Sequence, residues 1–235
     1  MKTILRERKW LTTDSYVLSL ERPESFAFTP GQRIGLQSAG LLRDYSLING
    51  PQAPTLDILI RRIPGGTMSS HLAELPLETA IEIDGPYGYF IFQDEGNTPL
   101  FVATGTGIAP FVSMARAGVR GFRLLHGVRT AEELYFAHEM RTCADDFLAC
   151  LTGGTTRGVT GDQARAGTGD QARAETGDQA RGRVYSGRVT SYVAERLEAD
   201  IYDFYACGRA EMIRDLAHII DERFPSSRLF SESFT

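Results

Sequence analysis

The stretch that decides the fold of this 235-residue chain is LFVATGTGIAP, residues 100–110. Its first four residues form a continuous apolar run, which is typical of a strand buried on both faces of a parallel sheet. Gly105 and Gly107 allow a ligand to approach the backbone, and Pro110 suits the first turn of a helix. A GxGxxG fingerprint would need a third glycine where Pro110 stands. The stretch therefore predicts a strand, a phosphate-binding turn of another type and a helix.

Downstream of this stretch, strands and helices alternate, which indicates right-handed βαβ units and a parallel sheet. We predict strands at 122–126, 147–151 and 203–206, and helices at 109–119, 131–142, 189–197 and 210–224.

Upstream, the chain is rich in short, partly alternating runs separated by turn residues, which favour a small antiparallel barrel or sandwich. The runs lie at 16–20, 34–37, 56–60 and 80–83, and one helix is expected around 69–75. The pattern changes across residues 94–97. We therefore predict an α+β protein of two domains, an antiparallel β-barrel at 1–97 and an α/β domain at 98–235.

A tandem repeat interrupts the second domain. The motif TGDQAR begins at Thr160, Thr168 and Thr176, and alanine is its only apolar residue. Such copies cannot bury a hydrophobic face. We interpret residues 153–183 as a flexible, low-complexity surface insertion, with a short helix tied by Asp–Arg pairs as the alternative.

Composition excludes several classes of protein. Hydrophobic residues make up 42% and charged residues 23% of the chain, so disorder of the whole chain is not expected. No apolar run approaches the length of a membrane helix, and the charged N-terminus does not resemble a signal peptide. A formal net charge of −5 disfavours a nucleic-acid-binding protein.

The three cysteines are odd in number and match no metal spacing. We therefore expect no disulfide framework, no iron–sulfur cluster and no other metal site. Cys143 and Cys150 are interpreted as ordinary core thiols of a cytoplasmic protein.

Two segments of the first domain carry groups suited to a phosphorylated aromatic ligand. In RDYSL, Arg43 can grip a phosphate, Tyr45 on the same strand face can stack on a ring, and Ser46 adds a hydroxyl. The alternative is a surface arginine beside a barrel-lining tyrosine. In GGTMSSHL, residues 65–72, glycines lead into a helix whose first N–H groups suit an anion, and the alternative is a turn with a serine N-cap.

Two further segments lie near the end of the chain. Cys207 and Gly208 end a predicted strand, which places a thiol at the carboxyl edge of the sheet, where ligands bind. A buried structural cysteine is the alternative. At the end of the chain, the acid Glu232 stands two residues before the aromatic Phe234, which is a specific pairing. The alternative is that this tail is a frayed end without a role.

Taken in order, these five segments resemble the motifs of the ferredoxin–NADP⁺ reductase family. The resemblance runs from about residue 5 to the C-terminus, except for the repeat. In that family a β-barrel domain binds FAD and the following α/β domain binds NADP. The resemblance therefore implies one nucleotide cofactor for each predicted domain.

On the FAD side, the resemblance implies that Arg43 holds the pyrophosphate, Tyr45 packs on the isoalloxazine and Ser46 hydrogen-bonds near flavin N5. Phe234 stands where the family has a tyrosine that covers the flavin, and Thr235 extends beyond it. The further implied FAD contacts are Ile60, Arg61, Thr67, Met68, Ser69 and Thr106.

On the nucleotide side, the resemblance assigns the pyrophosphate to Thr104, Gly105, Thr106 and Gly107, and the nicotinamide to Cys207 and Gly208, with Met212 supporting the pocket. The implied catalytic residues are Ser46 and Glu232, which serve the proton at N5, and Cys207, which orients the nicotinamide.

The choice between NADP and NAD depends on cations that suit a 2′-phosphate. Arg129 and Arg188 resemble two arginines of bacterial NADP-using members. The family's Ser-Arg pair after the third strand is Thr152-Gly153 here, so one guanidinium is missing, and Arg157 or Arg183 could substitute for it. We expect NADP(H), with NAD(H) as the alternative.

The implied activity is hydride exchange between NADPH and flavin N5, with single electrons passing to ferredoxin or flavodoxin. An NADH-dependent reductase of an oxygenase or of free flavin is the alternative within the fold. A complex-bound electron-transfer subunit or a non-catalytic interaction protein is the alternative of another class. We expect a monomer. A docking surface for an acidic carrier could use Arg6, Arg8, Lys9, Arg33, Arg61 and Arg62, and the alternative is that these are the scattered surface cations of any soluble protein.

Overall fold

The structure is a computed structural model that describes residues 1–153 and 183–234. It separates into two compact units, Met1–Gln93 with Ala109–Val119, and Asp94–Ile108 with Arg120–Thr235. Apart from its two end residues, the insertion predicted at 153–183 lies outside the described residues, as do Arg157 and Thr235. The domain limits 1–97 and 98–235 stay a prediction.

The first unit contains six strands and two helices. They are β1 (Lys2–Trp10), β2 (Ser15–Glu21), β3 (Arg33–Ser38), β4 (Leu41–Ser46), β5 (Thr55–Arg61), α1 (Thr67–Glu74), β6 (Ala80–Tyr87) and α2 (Ala109–Arg116). All pairings are antiparallel, in the order β4-β3-β6-β1-β2-β5. The two edge strands are β4 and β5. An isolated antiparallel bridge between Leu47, just after β4, and Ile58 on β5 connects these edges. Within residues 1–93 the barrel is therefore closed by a single bridge and not by a continuous row of strand hydrogen bonds.

Alternation along the strands fills this barrel, because every second side chain points inward. Leu18, Leu20 and Ile58 are fully buried in its core, and α1 packs Met68 and Leu72 against the same cluster. Helix α2 belongs to this unit through Ser113, whose hydroxyl donates to the carbonyl of Asn49 over 2.6 Å.

The second unit is a parallel sheet with helices. Its elements are β7 (Thr98–Thr104), β8 (Arg123–Val128), α3 (Ala137–Cys143), β9 (Asp146–Leu151), β10 (Arg183–Ser186), α4 (Val189–Glu195), β11 (Tyr202–Arg209), α5 (Ala210–Arg223) and β12 (Arg228–Phe234). The strand order is β10-β9-β8-β7-β11-β12, and every pairing is parallel. The order reverses between β7 and β11, which makes their carboxyl ends a topological switch point, the usual ligand position in such sheets.

The predicted two-domain fold is confirmed, with differences in detail. The helix predicted at 131–142 is a 3₁₀ turn at Ala131–Glu133 followed by α3, because Phe136 between them adopts a left-handed φ of 57°. The tail is not frayed: residues 228–234 form β12, which pairs with β11 along its whole length. Cys150 is buried as predicted, whereas Cys143 is only partly buried. In the described ranges, no helix is both long enough and apolar enough to cross a membrane.

Candidate cofactor sites

The end of β4 presents a cation, a phenol and a hydroxyl in sequence. Arg43 is exposed, and its guanidinium donates to the carbonyl of its neighbour Leu42 over 2.8 Å. Tyr45 is half-buried against the barrel core, and burial raises the pKa of its phenol to about 12, although Arg43 acts in the opposite direction. Ser46 is buried. This strand end therefore offers a guanidinium directed to solvent and an aromatic ring that stays neutral.

The loop before α1 forms a backbone cradle. Gly65 has a left-handed φ of 75°, and a Cβ at Gly66 would stand 2.9 Å from the carbonyl oxygen of Ile63. Gly66 is the N-cap and no side chain of the described residues caps the helix, so its first N–H groups can meet an anion. The cradle therefore offers backbone N–H donors of the kind that bind a phosphate.

The side chains predicted around this cradle have different environments. Thr67 is exposed at the start of α1, whereas Met68 is buried in the barrel core. The hydroxyl of Ser69 accepts the N–H of Ile63 over 3.1 Å, and its carbonyl accepts the Tyr16 hydroxyl over 2.6 Å. Ser69 is therefore a helix residue that braces the loop and not the serine N-cap considered as an alternative.

Two further residues predicted at the FAD site are already engaged within the barrel. Ile60 is buried in the core on β5. Arg61 directs its Nη2 to the carboxylate of Asp14 over 3.0 Å, and its Nε to the same oxygen over 3.1 Å. Arg61 consequently carries a partly neutralised charge.

Most cations proposed for a docking surface are likewise held by other groups. Arg6 pairs with Glu21 and Glu78. Arg33 pairs with Asp44 over 3.0 Å and Arg62 with Glu74 over 3.2 Å, while Arg8 donates to carbonyls at the end of α1. These pairings reduce the positive field that an acidic carrier would meet.

In the second unit, the switch point is built on close backbone approaches. A Cβ at Gly107 would collide with the carbonyl oxygen of Cys207, and a Cβ at Gly208, whose φ is 148°, would collide with the Thr104 hydroxyl. The same hydroxyl accepts the N–H of Arg209 over 3.3 Å. Glycine at both positions thus lets the turn after β7 lie directly against the end of β11.

His126 on β8 is a site residue that the sequence analysis missed. It is fully buried, and its Nε2 lies 3.0 Å from the carbonyl oxygen of Gly105. Because a carbonyl only accepts, Nε2 carries the proton. Burial lowers the pKa of His126 to about 4, against the opposing effects of the Gly105 carbonyl and Glu133. A neutral imidazole therefore anchors the glycine turn, a contact between β8 and the turn after β7 that no local pattern indicated.

A thiol and a carboxylate stand side by side at the ends of β11 and β12. Cys207 is in register with Glu232, and both are buried. Burial and, after it, the Glu232 charge raise the pKa of the Cys207 thiol well above its ordinary value, so the thiol stays protonated. Met212, in the first turn of α5, would stand 3.3 Å from a Cβ at Gly208, and Phe234 is half-buried on the same strand face as Glu232.

The other side of the switch point carries the residues predicted to meet a 2′-phosphate. Arg129, Thr152 and Arg188 follow β8, β9 and β10 at the carboxyl edge. Thr152 donates its N–H to the carbonyl of Val128 over 3.1 Å, and Arg188 is exposed as the N-cap of α4. The guanidinium of Arg129 is paired with Glu133 over 2.7 Å.

The structure thus gathers every residue predicted to bind the nicotinamide nucleotide at one edge of one sheet. Arg183 does not join them, because it lies at the first position of β10 and pairs with Asp146 over 3.1 Å. Of the residues predicted to bind FAD, Thr106 and Phe234 belong to the second unit and the others to the first. The first unit thus offers backbone N–H donors at the start of α1 and the half-buried ring of Tyr45. The second unit offers a glycine-lined sheet edge with a protonated thiol and a carboxylate.

Comparison with known families matches both units. Residues 2–92 match the oxidoreductase FAD-binding domain, and residues 101–218 match the oxidoreductase NAD-binding domain.

In the part of the chain that the structure describes, no group of three or more His, Cys, Asp or Glu side chains could hold a metal ion.

Individual proteins give the same picture. The chain is 33% identical to ferredoxin–NADP reductase B of Sorangium cellulosum, over 54% of this chain and 57% of that protein. It is 32% identical to the naphthalene 1,2-dioxygenase system ferredoxin–NAD(P)⁺ reductase component of Pseudomonas putida, over 57% of this chain and 44% of that protein. The chain spans only about half of the length of these relatives.

A solved structure shares the fold over its full length. The ferredoxin–NADP⁺ reductase of Neisseria gonorrhoeae with bound FAD and NADP superimposes with a TM-score of 0.77 at 19% identity, covering 99% of this chain and 98% of that one. At this identity the likeness concerns the fold.

Proposed function

Since this chain belongs to the ferredoxin–NADP⁺ reductase-like family of FAD- and NAD-binding oxidoreductases, we propose that it oxidises NADPH at a bound FAD and passes the electrons to ferredoxin or flavodoxin. The observation that carries the proposal is the switch point of the parallel sheet. There the glycine backbones of Gly107 and Gly208 adjoin the buried pair of Cys207 and Glu232. Such an edge fits a dinucleotide whose reactive end needs a neutral neighbour and a proton source.

The first unit would hold FAD. The N–H groups at the start of α1 and the guanidinium of Arg43 bind its pyrophosphate, and the ring of Tyr45 packs on the isoalloxazine. When bound, FAD supplies hydride acceptance at N5 and one-electron donation. The hydroxyl of Ser46 would hydrogen-bond at N5, and Arg61, Thr67 and Ser69 of the same unit would add further contacts.

The second unit would hold NADPH. Thr104, Gly105, Thr106 and Gly107 bind its pyrophosphate, while Cys207, as a neutral thiol, and Gly208 orient the nicotinamide, with Met212 behind them. The carboxylate of Glu232 would, with Ser46, serve as acceptor of the proton that flavin N5 must release when the electrons leave singly. Arg129, Thr152 and Arg188 bind the 2′-phosphate, which is why we propose NADPH over NADH.

The electron carrier is proposed from the relatives. The Sorangium cellulosum protein is named a ferredoxin–NADP reductase, and ferredoxin or flavodoxin fits a flavin that releases electrons singly. We further propose a cytoplasmic monomer. The free state of all three thiols supports a reducing compartment, and light scattering tests the monomer.

One alternative is an NADH-dependent reductase that serves an oxygenase or free flavin. Two observations favour it: the Pseudomonas putida relative is the reductase component of a dioxygenase system, and Arg129 is already paired with Glu133. A buried carboxylate beside Arg129 weakens the positive field available to a 2′-phosphate.

Stopped-flow reduction of the FAD-loaded protein separates these functions. We expect the limiting rate of flavin reduction, divided by the nucleotide concentration that gives half of that rate, to be higher for NADPH than for NADH. We expect the reduced protein then to reduce ferredoxin or flavodoxin. A preference for NADH would establish the alternative. A purified protein that binds no flavin would contradict both.

A further inference from the structure

Glu133 holds both the backbone and the guanidinium of Arg129 by hydrogen bonds. One carboxylate oxygen accepts Nε and Nη2 of the guanidinium over 3.1 and 2.7 Å. The other oxygen accepts the backbone N–H of Arg129 over 3.0 Å. A single side chain therefore fixes both the backbone and the charged head of Arg129.

The two residues differ sharply in exposure. The side chain of Glu133 is 9% exposed, whereas that of Arg129 is 57% exposed. The carboxylate is thus a buried anchor, and the guanidinium stands on it at the carboxyl edge of the sheet, in contact with solvent.

The backbone around this pair is also braced. The N–H of Gly153 donates to the carbonyl of Arg129 over 2.8 Å, so closely that a Cβ at Gly153 would collide with that oxygen. The N–H of Glu133 donates to the carbonyl of Thr130 over 3.1 Å. Arg129 consequently has little freedom to leave its position after β8.

We propose that Glu133 is the positioning residue for recognition of the 2′-phosphate: it holds the guanidinium of Arg129 ready for the ligand and does not itself touch it. This inference rests on the proposed use of NADPH. An arginine side chain that is fixed before binding loses less conformational freedom when the phosphate arrives. The carboxylate also has an opposite effect, because its charge reduces the attraction of Arg129 for an anion.

The two effects predict different outcomes for replacement of Glu133. If positioning dominates, removal of the carboxylate weakens binding of a 2′-phosphate. If neutralisation dominates, removal strengthens it. We infer that positioning dominates, because the exposed guanidinium is screened by water and salt, whereas the geometry of its fork depends on the buried anchor.

Calorimetric titration of the FAD-loaded protein with adenosine 2′,5′-bisphosphate measures the affinity for a 2′-phosphate without turnover. 5′-AMP serves as the control ligand, because it lacks the 2′-phosphate. We expect Glu133→Ala to lower the affinity for the bisphosphate by roughly 3- to 10-fold, because the Arg129 side chain must then be ordered when the ligand binds. Glu133→Gln, which keeps an acceptor oxygen, should weaken it by roughly 2-fold or less. Neither variant should change the affinity for 5′-AMP.

Glu132→Ala is the matched control variant. Glu132 is an exposed acid of the same 3₁₀ turn, so its replacement removes one negative charge from that turn without removing the anchor. We expect it to leave the affinity for the bisphosphate unchanged. Flavin absorbance and thermal unfolding verify that each variant is folded and loaded.

A double variant decides whether Glu133 acts through Arg129. We expect Arg129→Ala to weaken the bisphosphate by about 10- to 100-fold, and the double variant to be no weaker than Arg129→Ala alone. Additive losses, or tighter binding by Glu133→Ala, would overturn the positioning role. If Arg129→Ala has an effect and Glu133→Ala has none, the inference alone fails. If Arg129→Ala has no effect either, the inference fails, and if the parent binds the bisphosphate no more tightly than 5′-AMP, the proposed use of NADPH fails as well.

Discussion

His126 is expected to make the stability of the protein depend on pH. Burial lowers its pKa from 6.5 to about 4 in the folded protein. As the pH falls below 6.5, His126 becomes protonated in the unfolded chain but stays neutral in the folded protein. The free energy of unfolding therefore decreases until the pH reaches about 4, where the folded protein is protonated as well. Each unit of pKa difference corresponds to about 1.4 kcal/mol, which gives a total of about 3–4 kcal/mol.

Most of this loss falls in an accessible range. Between about pH 7.5 and pH 5 the two pKa values predict a decrease of about 2 kcal/mol in the free energy of unfolding. Urea denaturation followed by circular dichroism, at fixed FAD concentration, measures that decrease. His126→Gln is the matched variant, because its amide can donate to the Gly105 carbonyl without titrating in this range.

We expect the variant to lose about 2 kcal/mol less than the parent between the two pH values, since all other titrating groups are shared. Parallel pH dependences of parent and variant would refute the assignment. An NMR titration that placed the His126 pKa near 6.5 would refute it as well.

Three further predictions concern the two candidate sites. Gly107→Ala should destabilise the protein by about 1–3 kcal/mol and abolish nucleotide binding, because the new Cβ would collide with the Cys207 carbonyl; thermal unfolding and NADP⁺ titration measure both effects. Arg43→Ala should lower the affinity for FAD by at least about 10-fold with little change in the free energy of unfolding, since the side chain is exposed. Flavin fluorescence titration measures that affinity, and an unchanged value would contradict the prediction. Ser46→Ala should retain FAD but slow flavin reduction by NADPH in stopped flow, and reduction at the parental rate would remove Ser46 from the mechanism.

The amino-acid sequence by itself determined the elements whose signal is local. The apolar run before Gly105 predicts β7, the alternating residues at 56–60 predict β5, and the glycines before α1 predict a turn that leads into a helix. These patterns report burial and backbone freedom, which depend on neighbours along the chain. The order of the motifs was enough to indicate the family.

Only the tertiary structure decided which partner each functional side chain has. Sequence analysis considered Arg61 as a cation for a phosphate, and the fold shows that Asp14, 47 residues away in the chain, already holds it. It gave His126 no role, because the contact to Gly105 joins β8 to the turn after β7, 21 residues away in the chain.

The last strand shows the same division. Residues 228–234 have no strong alternation of their own, and they become β12 because the exposed edge of β11 offers backbone groups that need partners. Local patterns fix what a segment can become. Hydrogen bonds and ion pairs between distant segments depend on strand order and register, which arise only when the whole sheet has formed.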